Sequence, residues 1–228
     1  MDYSQILDIV GQYQLDIYGG FHPDEGDKGP VDTKTLLMLG PKEPGFWEYL
    51  NTQEEFRNGL PNPMDQWSKR AIDLIGENTG GKPYYPFGGP PYHPFLTWAL
   101  KTGRSWQSPV QFLVHDTAGL LVSYRGALAY KDHITLPKTP EQSPCVTCSD
   151  KPCISACPVS VLTPDHYDAD GCRTYIGSEE GHDCLTLGCN VRRICPVSQR
   201  YQRNPKQSEF HQIAFLNNAP KFNQVFEA

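Results

Sequence analysis

The stretch Pro144–Pro158, PCVTCSDKPCISACP, decides how the second half of this chain is read. It spaces four cysteines as Cys145-x2-Cys148-x4-Cys153-x3-Cys157 and closes on a Cys-Pro step. Further on come Cys172 and then Cys184-x4-Cys189-x5-Cys195, where the last cysteine again precedes a proline, Pro196. All 8 cysteines of the 228 residues thus fall between positions 145 and 195. Thiols gathered so densely form a site, not a composition. The N-terminal segment MDYSQILDIVGQYQLDIYGGF carries an acid at position 2 and lacks the basic-then-apolar pattern of an export signal. The expectation is a reducing cytoplasm, where such a cluster of thiols binds metal in preference to forming disulfides. Structural zinc favours paired C-x2-C knuckles, and only one C-x2-C is present. Disulfides would suit a small secreted domain.

The run resembles that of bacterial two-cluster ferredoxins, C-x2-C-x2-C-x3-C-P, with two residues added between the second and third cysteines. A cubane iron–sulfur cluster needs three thiolates from a tight loop and a fourth from elsewhere. The proline after the fourth cysteine turns the chain and helps send that thiolate to the other cluster. Such a step occurs at both Cys157 and Cys195, as expected of two half-sites that exchange ligands. Eight cysteines at four per cluster make two [4Fe–4S] clusters. The ferredoxin crossing pattern implies that Cys145, Cys148, Cys153 and Cys195 hold one, and Cys157, Cys172, Cys184 and Cys189 the other. The looser spacing of the second half leaves the partition of Cys172, Cys184 and Cys189 open.

Outward from this window, the composition changes at Leu136-Pro137-Lys138-Thr139-Pro140, where two prolines break regular structure. Three segments follow: an α/β domain over 1–137, a cysteine module over 138–203, and a C-terminal tail over 204–228 that packs on the body. The fold class is α+β. Proline is abundant, 21 residues, which argues for much irregular chain and against a long-helix bundle. The net charge of -6 argues against nucleic-acid binding, since phosphate contacts need clustered Lys and Arg. No apolar run approaches the roughly 20 residues of a membrane span. In the first domain, Ser4 is placed to cap a helix with apolar residues Ile6, Leu7, Ile9 and Val10, stopping at Gly19-Gly20. Thr35–Leu39 reads as a buried strand, and Asp65–Gly76 as an amphipathic helix with Trp67, Ile72 and Ile75 on one face. Gln111–His115 and Gly119–Tyr130 read as strands joined by a turn at Asp116–Ala118.

Two family resemblances add to this. The cysteine window, with Asp168-x-x-x-Cys172 followed by an aromatic and the last Cys-Pro, resembles the ferredoxin module of epoxyqueuosine reductases and cobalamin-dependent reductive dehalogenases. The stretches Asn62–Trp67, His115–Gly119 and Tyr124–Leu128 resemble the flavin-reductase-like α/β sandwich of CblC-type cobalamin-processing proteins, which those reductases carry ahead of their clusters. The resemblance implies a corrinoid lying across the first domain and facing the nearer cluster. A corrinoid needs a broad apolar cleft with backbone amides, and the stretches Phe87, Gly88, Gly89 and Ser123, Tyr124, Arg125, Gly126 are the candidate contacts. His115 and Asp116 are weak candidates for a proton-handling role. The implied function is an iron–sulfur oxidoreductase that reduces cobalamin or removes its upper ligand, taking electrons from a redox donor protein. Other readings are a non-catalytic ferredoxin-like electron carrier, a reductive dehalogenase or epoxyqueuosine-reductase-like enzyme, and an interaction module with structural zinc. The chain lacks the helical-repeat tail and dense basic patch that tRNA binding would use, which disfavours conversion of epoxyqueuosine.

Overall fold

Strand β2, Thr35–Pro41 (TLLMLGP), is buried along its whole length, and the first half of the chain is organised around it. A computed structural model describes residues 1–24, 26–27 and 29–217. In it β2 pairs with β1, Leu15–Phe21, on one side and β6, Gly126–Tyr130, on the other. The short β3, Lys82–Tyr84, completes an antiparallel sheet of order β1-β2-β6-β3. Because side chains alternate across a strand, Leu37 and Leu39 face one layer and Leu36 and Met38 the other. The first layer is built by helix α1, Tyr3–Gly11, helix α2, Phe46–Asn51, and helix α3, Pro63–Thr79, through Ile6, Val10, Phe46, Leu50, Trp67, Ile72 and Ile75. The second is covered by helix α4, Phe95–Lys101, through Phe95, Trp98 and Ala99. A strand buried on both faces reads as a continuous apolar run, as TLLMLGP does.

Several local expectations are corrected. Helix α1 is capped by Asp2, not Ser4. The Gln5 amide donates to Asp2 Oδ1 at 3.0 Å, and the Gln5 side chain accepts from the Asp2 amide at 2.9 Å, a reciprocal capping box. The helix ends at Gly11 and does not run to Gly19, because residues 15–21 are drawn into the sheet by β2. Helix α3 extends beyond Asp65–Gly76 at both ends. Pro63 occupies its first turn, where the missing N–H costs nothing, and Gly80 at φ 77° closes it. Of Gly119–Tyr130, only β6 is strand. Residues 120–125 are irregular: the Leu120 amide and the Leu120 and Leu121 carbonyls bond to side chains of Ser198, Arg192 and Arg203.

A second sheet pairs β4, Ser105–Gln107, with β5, Leu113–His115, antiparallel. The cysteine module is a series of short turns: a 3-10 turn at Pro152–Ser155 and helices α5, Ala169–Ile176, α6, His182–Thr186, α7, Asn190–Arg193, and α8, Pro196–Arg200. Its apolar floor comes partly from the first domain. Val110, Val114 and Leu120 share one core with Cys153, Leu162, Val191, Cys195 and Val197. The tail continues as α9, Pro205–Asn217, packed on α5 and α6, with Phe210 against Trp47 and Phe56 at 5.4 and 5.8 Å between ring centres. Residues 218–228 of the expected tail lie outside the described residues. The chain is α+β with small antiparallel sheets. Among the described residues no helix is long and apolar enough to cross a membrane.

The sheet core predicts a sharp contrast. Leu37→Ala, at a fully buried position in the central strand, should cost about 2–5 kcal/mol in urea unfolding followed by circular dichroism. Leu96→Ala, on the exposed side of α4, should change stability by less than about 0.5 kcal/mol.

Candidate functional site

The eight thiols come together as two sets. Cys145, Cys148, Cys153 and Cys195 line one cavity of about 350 Å³. Cys157, Cys172, Cys184 and Cys189 line a second, of about 440 Å³. Each set therefore draws on both ends of the window, with Cys195 closing the first and Cys157 belonging to the second. The local chain accounts for this path. Cys189 and Cys195 each stand immediately before a short helix, α7 and α8, and the latter starts on the proline that turns the chain. Asn190 Nδ2 donates to the Ala156 carbonyl at 2.8 Å, holding the Cys157 loop against the Cys189 turn. Among the described residues, no three His, Cys, Asp or Glu side chains group so as to hold a metal ion. The thiols line the two cavities.

Burial raises the pKa of Cys145 and Cys153 in the first set and of Cys184 in the second. Within the first set, the neighbouring Cys195 and Cys148 push Cys145 and Cys153 further the same way. Cys172 is pushed up to about 11, chiefly by burial, although a hydrogen bond from Tyr167 opposes the rise. The Asn190 amide likewise donates toward Cys184. Two guanidiniums stand beside the second set. Arg192 lies 4.2 Å over the Phe112 ring and donates to the Leu120 carbonyl at 3.0 Å. Arg203 donates to the Leu121 carbonyl at 3.0 Å. Burial pulls Arg203 down to about 10, so it remains a cation at neutral pH. Val146 and Thr147, between Cys145 and Cys148 of the first set, are exposed.

Among the residues expected to contact a corrinoid, Ser123 lines the second cavity. Tyr124 turns to Ser105, with 2.7 Å between hydroxyls. Arg125 is buried between Asp65, 2.5 Å away, and Ser68, so its guanidinium holds β6 to α3. A side chain at Gly126 would collide with Ile72 and the Tyr84 carbonyl. Phe87 stacks on Tyr85 with 5.3 Å between ring centres, beside Arg125, and Gly88 and Gly89 follow in the same loop.

His115 and Asp116 serve structure rather than the cavities. His115 is fully buried, stacked on Tyr18 at 4.5 Å. Its Nδ1 accepts from the Thr117 and Ala118 amides, both at 3.2 Å, and its Nε2 meets the Tyr18 carbonyl at 3.1 Å. Burial pulls its pKa down to about 4. The ring is therefore neutral at pH 7, and Asp116 at 3.1 Å makes no ion pair with it. Asp116 instead takes a two-pronged contact from Arg104 at 2.8 and 2.9 Å. The sequence reading does not include Arg203 and His211 in the site. No local pattern marks them, because only the folded path of α9 brings the tail over the second cavity.

The depressed His115 predicts acid sensitivity. A histidine whose folded pKa lies below its unfolded value binds fewer protons in the native state, so stability falls as pH drops from about 6.5 to about 4. The loss attributable to this residue is on the order of 3 kcal/mol. Urea titrations across that window should show a shallower pH slope for His115→Asn than for the wild type. No protein family, curated protein or solved structure matches the chain.

Proposed function

We propose that the chain is a ferredoxin-type electron-transfer protein holding two [4Fe–4S] clusters. In this reading the first thiol set receives electrons from a donor protein at the surface, and the second passes them inward. The observation that carries it is the gathering of eight thiols into two sets of four, each taking one member across the window. The donor chemistry fits. All eight candidate ligands are thiols, and the surrounding walls are largely apolar. Four sulfurs bound to one zinc would each sit about 2.3 Å from a common centre. A pair of such clusters supplies stepwise one-electron transfer, tuned by hydrogen bonds to sulfur and by solvent exposure. Here Tyr167 and Asn190 donate to second-set sulfurs, while Arg192 and Arg203 offset charge beside them. The exposed Val146 and Thr147 give a donor close approach to the first set.

A corrinoid as the electron acceptor is the second reading, favoured by one observation. The segment Leu121–Ser123, which leads into β6, forms a wall of the cavity that the second thiol set lines. An acceptor held by the sheet domain at that wall would sit against the second cluster. The likeness of the first half to the CblC-type α/β sandwich belongs to this proposal, supported by a sheet covered by helices on both faces.

Anaerobic purification is the test. The expected protein is brown with about eight irons per chain, two clusters of four; a colourless protein, or one binding stoichiometric zinc, overturns the reading. Cys172→Ser should lower iron to about four per chain and leave one set of reduced-cluster electron paramagnetic resonance signals. Titration with hydroxocobalamin addresses the acceptor. A perturbed corrin spectrum supports it, and an unperturbed one with both clusters intact leaves a carrier without corrinoid.

A further inference from the structure

The second cavity is larger than the first, about 440 against 350 Å³, and has a wall that no cysteine contributes. That wall is made by Ser123 from the segment before β6, Arg203 from the link between α8 and α9, and His211 from α9. Each carries a buried polar atom with no hydrogen-bond partner among the described residues: Ser123 Oγ, Arg203 Nε and His211 Nε2. An orphaned buried donor costs on the order of 1–3 kcal/mol, and a charged one more. Three beside a single cavity are a recurrent cost rather than an isolated misfit. The groups share one chemistry. Arg203 and Ser123 donate, and burial together with the nearby Arg203 keeps His211 neutral, so that it too has one ring N–H to give. The lining includes the cations Arg192 and Arg203 and no Asp or Glu. Glu43 influences Arg203 from outside that lining and forms no ion pair with it among the described residues.

We propose that Ser123, Arg203 and His211 form a binding subsite for a small oxyanion or carboxylate, held against the second thiol set. The Nη1 of Arg203 is spent on the Leu121 carbonyl, which anchors the guanidinium of this cavity-lining residue, while Nε is buried without a partner among the described residues. A guanidinium is suited to oxyanions because its donors are coplanar and permanently charged. Balancing the charge of a thiolate-bound cluster would account for Arg192 and Arg203. It would not account for the neutral donors Ser123 and His211. As a place where an electron acceptor docks, the subsite rests on the electron-transfer reading; as an anion site it does not.

Calorimetric titration of the oxidised, anaerobically purified full chain with acetate and with nitrite tests it, with iron measured on the same samples. Saturable binding is expected. Arg203→Met should raise Kd at least tenfold, about 1.4 kcal/mol. Ser123→Ala should raise Kd severalfold while holding or raising Tm, because it removes an unsatisfied buried hydroxyl. A Tm that falls together with binding would mark Ser123 as structural and count against the proposal. Should Arg203→Met fail to fold by circular dichroism, Ser123→Ala and His211→Phe decide. Absence of binding in the wild type, or equal binding in these variants, overturns the subsite. About eight irons without anion binding removes this proposal alone. Anion binding that depends on Arg203 in an iron-free chain upholds it and removes the electron-transfer reading instead.

Discussion

Four sulfurs cannot share a poorly hydrated cavity as thiolates unless positive charge stands among them, because like charges repel strongly where water does not screen them. That constraint shapes the second half of the molecule. Burial favours the protonated form of Cys145, Cys153, Cys172 and Cys184, and their neighbouring sulfurs push the same way. The module meets the constraint with geometry rather than with a core of its own. Its helices are short, two begin directly after cysteines, and the segments between them are turns. Such a chain buries little apolar surface alone. It shares the apolar floor lent by Val110, Val114 and Leu120.

The sheet domain answers to a different physics. Its central strand is buried on both faces, so pairing and packing reinforce one another, and neither depends on a ligand. That part was legible where the signal was local and strong. The apolar run at residues 35–39 marked the strand, and Trp67, Ile72 and Ile75 marked the face of α3. The same reading failed where pairing overrode periodicity. Residues 15–21 look like the continuation of a helix until β2 is beside them, with five aligned positions from Leu15 to Phe21. Residues 120–125 look like strand because Leu120, Leu121 and Val122 are apolar. Three of their backbone groups are nevertheless claimed by partners 72 to 82 positions away. Leu120 N–H donates to Ser198 Oγ at 2.9 Å, and the next two carbonyls accept from Arg192 and Arg203. No window of sequence contains those partners.

The site divides along the same line. The cysteine spacing and the two Cys-Pro steps are local and legible in the sequence, although they leave the partition of Cys172, Cys184 and Cys189 open. What surrounds the thiols is not. Arg203 and His211 arrive only because the tail folds back as α9. Conversely, Arg125 and His115 sit in suggestive motifs yet are committed to holding β6 to α3 and a turn to β1. A polar residue in the right motif can be absorbed by the scaffold, and sequence alone does not record which ones are.

Gly119 shows how tightly the two halves are joined. It sits at φ 58°, and a Cβ there would come within 2.5 Å of the Ser198 amide nitrogen and hydroxyl. The backbone of one half lies directly on the other, with the Ser198 hydroxyl and two guanidiniums fastening the adjoining residues. The proline-rich break near Pro137 is therefore a boundary of composition and not of cooperativity. A fragment ending there would carry a bare apolar face and an amide stripped of its acceptor. A fragment beginning there would have cysteines but no floor. Opening of the seam and loosening of β6 are one fluctuation, so the cysteine module and the sheet belong to a single unit of unfolding.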